Sequence, residues 1–278
     1  MGVILDWLND LRNVLDDQDP VVQAVQVGVF YTGVEIFGGH TGVAFTPRGL
    51  TDTVCCPKTA AAAPPAGRMI GHHAWQLADF AFAESPLRRA VGIATLNALS
   101  AMAVSRRGIP GGRLHEGLDA LEAAGAKPDD RVAMVGTFVP FIKKLKGRVA
   151  GLAIIDKHPE ALKPEERPFW IPPERSSEAL GQASIVIISG SALVEGGIDS
   201  LLNAASNARR VIVAGPTTPL WPRPFFERGV YALAGISVRD SAQLLRLIAE
   251  AGSGYFFDQA AKKVAVIADR RHAGPQTA

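Results

Sequence analysis

Four short apolar, β-branched runs between Arg131 and Ile267 constrain the fold of this chain more than any other feature. They are Arg131-Val-Ala-Met-Val-Gly136, Val149-Ala-Gly-Leu-Ala-Ile-Ile-Asp156, Ser184-Ile-Val-Ile-Ile-Ser-Gly190 and Arg210-Val-Ile-Val-Ala-Gly215, and each stops abruptly at small, hydroxylated or acidic residues. A continuous apolar run of this length suits a parallel strand buried on both faces, whereas a strand with one wet face alternates. Segments that read as loop and then helix separate the runs and supply the crossovers. The expectation is an α/β fold with a doubly wound parallel sheet. All strand ends of such a sheet point the same way, so Thr137, Asp156, Ser189, Ser191, Thr217 and Thr218 are predicted to gather along one edge, where open α/β sheets bind ligands.

The first part of the chain reads differently. Leu5, Leu8, Leu11, Val14 and Leu15 fall at helical spacing and predict an amphipathic helix over residues 3–17, ended near Asp19-Pro20. Segments 24–31, 33–37 and 42–45, broken by Gly33, Gly38-Gly39 and Pro47, read as an antiparallel meander. Residues 59–67 read as a surface loop. Helices are predicted at 71–82 and 86–106, the second with Ser85 as N-cap and Pro86 in the first turn. A short helix at 117–124 and a turn at 125–130 precede the first strand of the α/β half. At 278 residues the chain exceeds the usual single-domain length, so an α+β domain over 1–125 and an α/β domain over 126–278 are expected.

Composition excludes several classes. The formal charge is +2, and no basic stripe interleaved with aromatics marks a nucleic-acid binder. No charged leader precedes an apolar core at the N-terminus, and no uncharged apolar stretch of about 18 residues occurs, so the expectation is a cytoplasmic protein without a membrane partner. The two cysteines, Cys55 and Cys56, are adjacent and make a poor disulfide framework.

The motifs point to binding more clearly than to a reaction. Gly136-Thr-Phe-Val-Pro-Phe141 stands where a dinucleotide fold carries three glycines to admit a pyrophosphate, and only the first is present, which argues against NAD or NADP. Asp156 ends the second run, the position from which an acid reaches a ribose hydroxyl in nucleotide-binding folds. Ser189-Gly-Ser191 offers hydroxyls and backbone N–H groups ahead of a helix, while Glu195 one turn on favours a cation or an ammonium group over an anion. Gly215-Pro-Thr-Thr-Pro219 is a stiff turn that is expected to present Thr217 and Thr218. Cys55, Cys56, His72, His73 and His40 are metal-ligand types, but neighbours in sequence diverge, by about 100 degrees for His72 and His73 on a helix. Trp170, Trp221 and Phe225 are candidates for a pocket wall.

Several of these segments together resemble a bacterial and archaeal family whose proposed role is heavy-metal chelation. The resemblance rests on Pro86–Leu99 with its Asn97-Ala98 pair, on Val135–Phe141, on Ser189–Ile198, and most specifically on Gly215-Pro-Thr-Thr-Pro-Leu-Trp-Pro222 with Phe226-Glu-Arg-Gly-Val230 behind it. Glu195 and Gly197 stand where the family usually has asparagine and threonine. The resemblance implies an enolase N-terminal-like α+β domain followed by a Rossmann-like domain, and a site between them. The expected function is binding of a small polar ligand or metal chelate by Thr137, Asp156, Ser189, Ser191, Glu195, Thr217 and Thr218, with Asn97 and Lys58 from the first domain. Asp156 and Glu195 are then the expected oxygen ligands of a divalent metal. The alternative is an enzyme acting on a phosphorylated or carboxylated metabolite with Asp156 or Glu195 as acid or base. A homo-oligomer is compatible with either.

Overall fold

The structure, a computed structural model, describes residues 2–47 and 63–269. Its larger sheet has the order β4-β11-β10-β9-β8-β5-β6-β7. The four sequence runs are β5 (Arg131–Val135), β6 (Gly151–Ile155), β8 (Ile185–Ser189) and β9 (Arg210–Ala214). To these the structure adds the two-residue β7 (Trp170–Ile171), β10 (Val230–Val238), β11 (Ala261–Ala268) and β4 (Gly112–Glu116). Six strands, from β7 through β10, run parallel. Their order is the 3-2-1-4-5-6 of a doubly wound, Rossmann-like sheet, while β11 and β4 extend it antiparallel.

Apolar residues of the central strands alternate between two cores. Val132, Met134, Ile185, Ile187 and Ile212 pack against helices α4 (Ala120–Ala124) and α5 (Val139–Leu145) on one face. Ala133, Val186, Ile188, Val211 and Val213 join the core on the other face, with α1 (Val3–Val14), α2 (Ala74–Ala78) and α3 (Pro86–Arg107). That face also carries α6 (Ser176–Gly181), α7 (Ala192–Glu195), α8 (Ile198–Ala204) and α9 (Arg223–Phe226). Burial on both faces is why these strands read as unbroken apolar runs.

The smaller sheet is the antiparallel meander β1 (Val22–Val27), β2 (Tyr31–Ile36) and β3 (His40–Phe45). Helix α3 lies against it and α10 (Ser241–Ala249) covers its other face through Val43, Leu244 and Ile248. The sides of α3 are not segregated into wet and dry: every residue from Ala90 to Ser100 is buried. Its backbone approaches β3 so closely that a Cβ at Gly42 would lie 2.1 Å from the Ala94 carbonyl oxygen.

Some expectations shift. The helix expected at 71–82 starts only at Ala74 and tightens into a 3-10 turn over Asp79–Phe82, so His72 and His73 precede it. Residues 112–124, expected in the first domain, form β4 and α4 and pack with the large sheet. Glycine and charged residues hide β4, because its side chains stay at the surface and only its backbone pairing with β11 makes it a strand.

At the amino edge of the sheet, the buried Asp130 carboxylate accepts bonds from the Lys127 amide at 2.8 Å, the Ser184 hydroxyl at 2.7 Å and Arg209 at 2.9 Å. Burial alone would raise its pKa, but these hydrogen bonds and the Arg209 charge outweigh it and hold the carboxyl below its ordinary range. A depressed folded-state value contributes stability above the unfolded pKa of about 4, and that stability is lost as pH falls through the folded value. Denaturant melts from pH 7 to 2 are expected to show this loss in the wild type and a flatter acid limb in Asp130→Asn; equal slopes would refute the assignment.

Candidate functional site

Strand order reverses between β5 and β8, so the turns after β5, β6 and β8 lie side by side at the carboxyl edge, the place where doubly wound sheets carry their ligand crevice. Gly136 has φ +100, and a Cβ there would sit 3.0 Å from the Cβ of Ser189, so only glycine lets the two turns close up. The Thr137 hydroxyl donates to Asp156 Oδ2 at 2.6 Å, and the His158 amide donates to Asp156 Oδ1 at 2.9 Å. Behind them Trp170 Nε1 donates to the Asp156 carbonyl at 2.9 Å. Ser191 Oγ donates to Ser189 Oγ at 3.0 Å. Lys157 Nζ lies 2.6 Å from Glu195 Oε2, and because β5 separates β6 from β8 this ion pair spans the crevice above the β5 turn.

The fold thus brings Thr137, Asp156, Ser189, Ser191 and Glu195 together. It does not leave Glu195 as a bare charge, and the residue that neutralises it, Lys157, was not singled out by sequence. Its one signal was its place directly after Asp156 at a strand end.

Thr217, Thr218 and Asn97 have a different situation. The stiff turn after β9 is expected to present open hydroxyls, but both threonines are buried. Thr217 Oγ1 accepts the Phe45 amide at 2.9 Å. Asn97 Nδ2 donates both to the Thr217 carbonyl at 2.9 Å and to the Val43 carbonyl at 2.8 Å. These bonds sew α3 and the outer edge of β3 to the turn. Asn97 Oδ1 and Thr218 Oγ1, also buried, have no hydrogen-bond partner. Rotating the amide would set its oxygen against two carbonyls, so the orientation is fixed by its neighbours.

The remaining candidates scatter. His72 bonds Gln76 at 3.0 Å, and His73 bonds Asp19 at 2.8 Å, both at the surface. Burial, and then the Arg106 charge, lower the pKa of His40 at the start of β3. Cys55, Cys56 and Lys58 lie outside the described residues. Among the described residues no three His, Cys, Asp or Glu side chains come together closely enough to hold a metal ion. Trp221 is buried with Nε1 on Asp10 at 2.5 Å, and Phe225 packs edge-on to Trp7 at 5.9 Å, so neither lines the crevice; Trp170 alone adjoins it.

The two threonines should therefore behave oppositely. Thr217→Val leaves the buried Phe45 amide unpaired and is expected to cost about 1–3 kcal/mol. Thr218→Val removes a hydroxyl that has no partner and is expected to be neutral or stabilising by up to about 1 kcal/mol. Chemical denaturation of the two variants checks this; equal destabilisation would overturn the account of the seam.

Comparisons with known proteins agree with this architecture. A family model described as "Putative heavy-metal chelation" (DUF364) matches residues 119–267, and a second with the same description (DUF4213) matches residues 10–100. An uncharacterized protein of Methanocaldococcus jannaschii is 26% identical over 179 residues, a match spanning 64% of this chain and 65% of that protein. A DUF364 protein of unknown function from Desulfitobacterium hafniense shares the fold with a TM-score of 0.71 at 22% identity, over 95% of this chain and 98% of its own. Another from Pyrococcus horikoshii does so with a TM-score of 0.76 at 20% identity, over 96% and 100%. Among the described residues no helix is long and apolar enough to cross a membrane. With the DUF364 model covering more than half of its length, and the DUF4213 model most of the rest, the chain belongs to the family described as "Putative heavy-metal chelation".

Proposed function

We propose that the crevice at the carboxyl edge binds a small polar ligand or a metal chelate, with Thr137, Asp156, Ser189, Ser191, Lys157 and Glu195 as its contacts. The observation that carries this reading is the Lys157–Glu195 pair spanning the point where strand order reverses, beside an Asp156 carboxylate oriented by Thr137. One short stretch of edge then offers a cation, two carboxylates and three hydroxyls, which suits a ligand carrying both donors and acceptors. The family description favours a metal-bearing ligand. The donors are hard oxygens, so a metal held by Asp156 and Glu195 would be a hard or borderline divalent ion that brings further ligands with it as a chelate. An enzyme using Asp156 or Glu195 as acid or base is less well supported, because Thr137 and His158 engage the first and Lys157 the second.

Titration calorimetry with zinc citrate is expected to give saturable binding that weakens about 10–100-fold in Asp156→Asn and in Glu195→Gln. Cys55→Ser/Cys56→Ser is expected to bind like the wild type. Unchanged affinity in both carboxylate variants, or loss only in the cysteine variant, would move the site elsewhere.

NAD and NADP do not fit this reading. Phe138 and Val139-Pro140 follow Thr137 at the start of α5, where glycines would admit a pyrophosphate. Saturable binding of either nucleotide with a Kd on the order of micromolar would contradict it.

A further inference from the structure

Two open sheets have four outer edges, here β1 and β3 in the small sheet and β4 and β7 in the large one. An unpaired edge is a template for another strand unless it is short, charged, kinked or covered. Three of the four are managed in this way. Strand β7 is two residues long. Strand β4 carries Arg113, His115 and Glu116, with Arg113 paired to Asp269 at 3.4 Å and Glu116 to Lys262 at 3.4 Å. Strand β3 is sealed by Thr217 on the Phe45 amide and Asn97 on the Val43 carbonyl.

Strand β1 is the exception. From Val21 to Tyr31 the sequence is Val-Val-Gln-Ala-Val-Gln-Val-Gly-Val-Phe-Tyr, without a charge or a proline. Its one irregularity lies between Val22 and Ala24 and leaves Val25 to Val27 in regular register with β2. The Gly28 amide bonds the Tyr31 carbonyl at 2.9 Å, so the ladder turns residues 24, 26 and 28 toward β2 and the backbone groups of Val25 and Val27 outward. Among the described residues the outer side of this strand meets a partner only at its start, where Val22 bonds His72 and Gly71 and Val21 bridges His73.

Exposed apolar side chains stand at both ends of that edge. Phe37, whose amide bonds the Val21 carbonyl at 2.8 Å, is 66% exposed, and Ile70, next to the Gly71 amide that bonds Val22 at 2.9 Å, is 65% exposed. Val27 and Val29 are exposed at the far end.

We propose that the β1 edge pairs with the same edge of a second copy of this chain. An antiparallel pair about a two-fold axis at Gln26 sets Val25 of each copy opposite Val27 of the other, joins their outward backbone groups and lays the Phe37–Ile70 end of each toward the Val29 end of the other. The charge pattern selects this partner. Between Val21 and Tyr31 an uncharged strand paired with its own copy brings no like charges together and strips water from none, whereas a charged partner strand would lose hydration along Val25 to Val29, where the strand itself offers no counter-charge. Two-fold pairing also uses each edge once, so assembly closes at the dimer.

Sedimentation equilibrium of the full chain is expected to give twice the 29.4 kDa chain mass. Val27→Lys/Val29→Lys is expected to give the single-chain mass with an unchanged far-UV spectrum, and Leu114→Lys on β4 to remain dimeric. In the wild type the Val25 and Val27 amides should resist hydrogen exchange, and they should lose that protection in the double variant. A wild-type monomer at about 100 μM, a double variant that stays dimeric, or dissociation by Leu114→Lys alone would each overturn the proposal; the first would leave this edge to a partner of another kind.

Discussion

The burial of helix α3 on all sides is the constraint on which the rest depends. A helix with an apolar stripe needs one neighbour, but one with no exposed side through its middle three turns must be enclosed. Here the enclosure is the small sheet on one side and the core of the large sheet's face on the other. Gly42 and Gly92 remove the side chains that would hold backbones apart: a Cβ at Gly92 would lie 2.0 Å from the Ala81 amide nitrogen. The two halves of the chain therefore share one continuous core instead of meeting through a wet interface.

That enclosure decides how the turns at the carboxyl edge are used. The Gly215–Pro219 turn lies opposite β3, whose outer backbone groups would otherwise be buried without partners, at a cost of about 1–3 kcal/mol each. Thr217 and Asn97 satisfy them. The same packing strands Asn97 Oδ1 and Thr218 Oγ1 without partners, so the seam is tight at some expense to its own polar atoms. The turns after β5, β6 and β8 face no such edge. Their side chains bond within and between these turns: Thr137 and the His158 amide to Asp156, Ser191 to Ser189, and Lys157 to Glu195.

A second tie reinforces the arrangement. The α1 amino end donates from the Val3 amide to Asp199 at 2.8 Å, Asp10 accepts Trp221 and Arg223, and Asp6 pairs with Arg228. These bonds fix the first helix against α8 and α9, so the amphipathic pattern of residues 3–17 is directed at the large sheet's core as much as at its own meander.

The sequence by itself determined four of the six parallel strands, because burial on both faces forces unbroken apolar runs, and with them the edge where Thr137, Asp156, Ser189 and Ser191 gather. It determined the meander, the long helix with its Ser85 cap, and the family, through the Gly215–Pro222 and Phe226–Val230 segments, but not that this helix is enclosed on all sides. Tertiary structure decided what local pattern does not encode. Strand β4 is polar and glycine-bearing, and only its pairing with β11 makes it a strand. Thr217 and Asp156 look alike as polar residues at strand ends, yet one spends its side chain on a distant backbone amide and the other stays in the crevice. Glu195 reads as a free acid until Lys157, 38 residues earlier, is placed beside it. Each of these depends on which surface lies opposite, and a residue's neighbours in sequence carry no record of that.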